Sequence, residues 1–170
     1  GWVDNAIQRF IEIIRTIPRI AIWMALAAII PKEWPSVYIY LGIVVIFGLI
    51  MWAGLAREVR GKVLAIRSED YVSAASVSGA TSRRVIFKHI IPNVSSHIIV
   101  IATLSLPRMI IGEAALSFLG LGIKPPMTSW GLLLSPLRDV PTLKHYPWLL
   151  IPAGFIVISV LCFNFLGDAI

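Results

Sequence analysis

The sequence predicts an all-α protein, a polytopic membrane bundle of about four spanning helices. Three observations carry this. Of 170 residues, 58% are hydrophobic and 14% charged, whereas soluble domains carry roughly 25% charged residues; mean hydropathy is +0.85. Val37 to Ala56 is an uncharged stretch of the ~20 residues needed to cross a bilayer. The basic residues behind the net charge of +6 lie between apolar runs, as they do in cytosolic membrane loops.

The first predicted span covers 3–30. Its first half is amphipathic, with Gln8, Arg9, Glu12, Arg15 and Arg19 at helical spacing against Phe10, Ile13, Ile14 and Ile17. Its second half, Ile20 to Ile30, is purely apolar. Pro18 between them predicts a kink. The apolar half is too short to cross alone, so the charged half must be partly immersed or packed on other helices. Its arginines read as interfacial anchors. Residues 31–36 form a tight turn, and the second span is Val37 to Ala56. Gly42, Gly48 and Gly54 recur there every six residues, so they permit close packing without sharing one GxxxG face.

Arg57, Arg60, Lys62, Arg67, Arg83, Arg84 and Lys88 then make the densest basic cluster in the chain. The positive-inside rule places 57–93 in the cytosol. Nucleic acid is an unsuitable partner, since only Tyr71 and Phe87 offer rings for stacking. Within this loop Ser68 can cap a helix whose first turn holds Glu69 and Asp70. The short run Tyr71 to Ser78 is rich in Ala and Ser, and Gly79 falls where a left-handed C′ residue belongs. Thr81 or Ser82 can cap a second helix, expected to end before Pro92. The segment reads as helix, glycine turn, helix, with a small-residue face on the first.

Val94 to Leu121 is the third predicted span. Pro107, Arg108 and Glu113 lie near its middle, where a charge facing lipid costs roughly 2.5–3.5 kcal/mol. Both charges should therefore face the bundle interior or a wet cavity. They are five residues apart, about 140° around a helix, so they make no natural intrahelical pair. Two readings stay open: a lock between helices, or the lining of a transport path. Residues 122–147, with Trp130, Gly131, Pro136 and Pro141, suit an outer-face loop carrying a surface or re-entrant helix. Trp148 to Gly167 is the last span.

No catalytic residue set emerges. GxxxxGK[ST] is absent, so this chain has no phosphate loop of its own. His89, His97 and His145 lack metal-ligand spacing, and the lone Cys162 cannot build a zinc site. No GxSxG elbow is present. The chain is read as a non-enzyme with no metal and no cofactor.

Ala74-Ala75, then Gly79, then Ile91-Pro92 after a basic stretch, resemble the EAA loop of ABC-importer permeases, with Ser73 where the motif has Glu. The resemblance covers nearly the whole chain. Gly1-Trp2-Val3-Asp4 is similar to the junction before a span in peptide-type permeases, and Val59-Arg60-Gly61 to the approach to the EAA loop. Leu116 to Gly122, Pro125-Pro126, Ser129-Trp130-Gly131, Tyr146-Pro147-Trp148 and Phe163 to Asp168 resemble blocks of dipeptide, oligopeptide and nickel importers.

The resemblance implies one permease domain over 1–170, part of a six-helix subunit in a bacterial or archaeal inner membrane. Its partners would be a second related permease subunit, two ATPase subunits that bind the ATP, and an extracytoplasmic solute-binding protein. Tyr71, Ser73, Ala74, Ala75, Ser78, Gly79, Arg83, Arg84 and Pro92 would form the ATPase-coupling loop. A secondary transporter or channel, or a non-transporting scaffold, are the alternatives from other classes.

Overall fold

The computed structural model describes residues 1–169, which fold into helices joined by short turns. Nine are labelled here: α1 (Trp2–Thr16), α2 (Arg19–Ile29), α3 (Ser36–Arg67), α4 (Asp70–Val77), α5 (Ser82–Val85), α6 (Ile91–Phe118), α7 (Trp130–Leu134), α8 (Val140–His145) and α9 (Ile151–Ala169). Three helical stretches are long and apolar enough to cross a membrane: Ser36–Arg67, Ser82–Phe118 and Pro147–Ala169.

The first predicted span is broken rather than kinked. Ile17 and Pro18 are both extended, with ψ of 132° and 123°. A residue before proline is pushed out of the helical region, and Pro18 has no N–H to carry the ladder across. The two pieces run in series, antiparallel to α3. Arg60 Nε and Nη2 donate to the two Asp4 carboxylate oxygens at 2.7 Å each. Phe10 stacks near Trp52, and Trp23 meets Phe47 with centroids 4.7 Å apart. With 11 residues, α2 is about 16 Å long, half of a ~30 Å bilayer core. It therefore reaches the far side only because α1 covers the other half of α3.

The second span is longer than its uncharged stretch. Helix α3 continues for 32 residues through the basic segment to Arg67. Ser68 does not cap the following helix: its hydroxyl donates to the Ala65 carbonyl and closes α3, and α4 starts after Glu69. Nor does the chain stop before Pro92. Helix α5 passes through a π turn, Ile86–Ile90, directly into α6. Pro92 cannot donate the next bond of the ladder, and the turn before it is widened: Ile91 N–H reaches Ile86 O, and the Asn93 amide donates to His89 O.

Two apolar clusters hold the helices. One joins Trp23 and Ala27 of α2, Ile39, Ile43, Ile46, Phe47 and Ile50 of α3, and Leu116 of α6. The other lies at the basic end, where Ile66, Val72, Val85, Ile90 and Val94 pack together. At the opposite end of α3, the buried Ser36 hydroxyl donates to Lys124 O at 2.7 Å. This ties the 31–36 turn to the start of the 122–147 segment. That segment folds as α7, a 3-10 turn and α8. Helix α9 lies along α6 and α7 and exposes Ile151, Phe155, Val157, Ile158, Leu161 and Phe165, a face suited to lipid.

The glycine row of α3 does not behave as close packing alone. A Cβ at Gly42 would strike Ile30, but one at Gly48 or Gly54 would meet nothing within 4 Å. Those two leave space.

Candidate functional site

The helix–turn–helix at the basic end is built from its turn outward. Gly79 has φ +83°, a left-handed value that costs a residue with a Cβ of order 1–2 kcal/mol. Its N–H bonds Ser76 O, and Ala80 N–H bonds Ala75 O, closing the end of α4. Thr81 caps α5, its hydroxyl oxygen accepting from Arg84 N–H at 3.4 Å.

Val72 faces the second apolar cluster and Ala75 is half-buried, so these anchor α4. Ser73, Ala74 and Val77 fall on the opposite face and are exposed, as are Tyr71, Ser78 and Gly79 at its margins. Arg83, Arg84 and Pro92 are exposed on the adjoining helix. The predicted loop residues thus gather on one helical platform, with Ala75 turned partly inward. Two exposed apolar side chains there escaped the sequence reading. Val77 is 89% and Phe87 66% exposed. The signal was available for Val77, which lies three residues after Ala74, on the same face.

Arg108 and Glu113 point to different places. Glu113 accepts a hydrogen bond from the Ser117 hydroxyl, whose oxygen in turn accepts from Ile123 N–H at 3.0 Å. Glu113 lines a cavity of about 510 Å³ with Tyr40, Phe47, Met109, Trp130 and Leu133. Arg108 is exposed and lines a second cavity of about 220 Å³ between α1, α2, α3 and α6. The two ion pairs among the described residues are Arg9–Glu12 and Arg60–Asp4; neither involves this couple. No group of His, Cys, Asp and Glu among the described residues could hold a metal ion.

Asp4 and Arg60 are structural partners that sequence reasoning noticed only as separate resemblances. They lie 56 residues apart, and no local pattern links them. Their fork-on-carboxylate geometry fastens α1 to the end of α3 that leads into α4.

Long apolar helices, with a packed basic end and cavities between them, define a multi-pass membrane protein. The chain belongs to the family described as the binding-protein-dependent transport system inner membrane component, which matches residues 1–170. It is 42% identical to the oligopeptide transport system permease protein OppC of Haemophilus influenzae, over 100% of this chain and 52% of that protein. It is 37% identical to OppC of Escherichia coli K12, covering 100% and 54% respectively. For OppC of Bacillus subtilis the identity is 38%, covering 100% and 53%. The chain spans about half the length of the curated relatives it matches.

Proposed function

We propose that this chain is the membrane permease part of an ATP-driven importer of di- or oligopeptides in a bacterial or archaeal inner membrane. The observation that carries the reading is the whole-chain similarity to oligopeptide permease proteins. The geometry supports a mechanism. A second permease subunit would complete the path, and a solute-binding protein would deliver the peptide on the side of 122–147. Two ATPase subunits would bind ATP and engage the exposed face of α4 on the cytosolic side.

Helix α4 sits on the apolar cluster that also holds the end of α3 and the start of α6. A push on α4 would therefore reach both long helices without a flexible joint. Arg108 and Glu113 would line the path, each in its own cavity.

The test is uptake in cells that carry or lack the gene for this chain, with a panel of peptides and Ni²⁺ as substrates. The expected result is ATP-dependent peptide uptake that disappears with the chain. Uptake of Ni²⁺ alone would overturn the peptide reading. Uptake independent of ATP would point to a secondary transporter or channel, and no change in uptake to a scaffold.

A further inference from the structure

The break between α1 and α2 opens on the 220 Å³ cavity, whose lining includes Arg15, Arg19 and Arg108 together with Glu58. The register fixes its depth. Phe10 lies against Trp52 and Trp23 against Phe47, and the α3 lining of the cavity runs from Gly48 to Glu58, so the cavity starts within the uncharged stretch of α3 and extends to its basic end. Gly48 and Gly54 line it and leave room where side chains would fill it. None of the three guanidiniums pairs with a carboxylate among the described residues.

A helix end adjoins them. Arg19 and Arg108 also line a neighbouring cavity with Trp23, whose Cε3–Cζ3 edge faces Gly112. Helix α2, 11 residues long, starts at Arg19 with no side-chain cap, so its first N–H groups and the positive end of its dipole lie at the break. A broken helix at membrane depth places such an end where it can meet an anionic group. The region is thus rich in donors and positive charge, against the single carboxylate of Glu58.

We propose that this cavity is a subsite for a carboxylate of the transported solute, held by Arg108 and Arg19 with Arg15 at its rim. The proposal rests on the peptide-permease reading and specifies its ligand: the free C-terminal carboxylate of a peptide. The arginines could instead anchor at the interface by snorkelling, or meet acidic groups of a second subunit. Neither role would depend on the charge of the peptide terminus.

The test compares uptake of one tripeptide as its free acid and as its C-terminal amide by the complete transporter, at matched membrane levels of each variant. Arg108→Gln should lower free-acid uptake about tenfold, the loss of one charge-assisted hydrogen bond, with less than about a twofold effect on the amide. Arg108→Lys should restore part of the free-acid uptake, since it keeps the charge but not the fork. Arg19→Gln should act in the same direction as Arg108→Gln.

Equal proportional loss for acid and amide, or no loss at all, overturns the subsite and leaves the permease reading standing. Where the parent transporter moves the amide too slowly to measure, the Lys variant decides. Uptake lost equally in Arg108→Gln and Arg108→Lys overturns the subsite. A parent transporter that moves no peptide of either form overturns both readings together.

Discussion

Gly79 turns the chain between α4 and α5 at φ +83° with no atom within 4 Å of where a Cβ would stand. Its cost on substitution is therefore backbone strain rather than a clash. Gly79→Val should add of order 1–2 kcal/mol, too little to unfold the bundle but enough to tilt α4 on its platform. We expect Gly79→Val to reach the membrane at normal levels, with reduced ATPase co-purification and reduced uptake. Ser73→Ala should do less, since Ser73 is exposed and already departs from the motif's Glu. Full uptake and full ATPase recovery for the valine variant would remove the coupling role from this turn.

Gly131 is the opposite case. A Cβ there would stand 2.3 Å from Ala114 O and 2.5 Å from Ala114 Cα, which are backbone atoms of α6. Helix α7 must then move away, an overpacking cost of roughly 1–3 kcal/mol. Gly131→Ala should lower the thermal midpoint in detergent, whereas Gly61→Ala, which meets nothing within 4 Å, should not. Equal midpoints for the two would mean that α7 does not rest on α6 in this way.

Helix α4 was legible as an element because an acidic first turn and Gly79 bracket a run of small residues, although the Ser68 cap read from the sequence does not form. Its two faces follow from helical spacing once Val72 is known to be inside. Val77 gives the element-scale prediction: being 89% exposed, its replacement by Asp should leave the fold intact and weaken ATPase co-purification. Val72→Ala should instead destabilise the platform by roughly 1–2 kcal/mol, from lost burial and a small cavity. Protease resistance of the 68–93 segment, measured alongside co-purification, separates the two. If Val77→Asp reduced protease resistance as much as Val72→Ala, the assignment of faces would be wrong. The π turn before α6 was not legible. Proline predicts a helix end from the local chain, but here the turn before it widens and the helix continues, with the Asn93 amide bonded to His89 O.

Helices Ser36–Arg67 and Ser82–Phe118, with 32 and 37 residues, are about 48 and 55 Å long. A ~30 Å hydrocarbon core leaves a considerable length of each outside it, at the end where the Lys/Arg cluster lies. We expect that end to be cytosolic and 122–147 to face outward. In a Cys162→Ser background, a Cys at position 130 should label from outside intact cells and one at 82 should not; the reverse pattern would invert the topology.

The sequence by itself determined the membrane class, the basic end, the α4–glycine–α5 pair and the family resemblance. Each rests on composition, local periodicity or a contiguous motif, which short stretches of chain carry on their own. Only the tertiary structure decided that the first span is two helices, since a proline permits either a kink or a break. Likewise, the Asp4–Arg60 fork and the cavity shared by Arg15, Arg19 and Arg108 join residues far apart in the chain. Such meetings depend on how the helices pack against one another, and helical periodicity fixes which face a residue occupies but not which helix that face will meet.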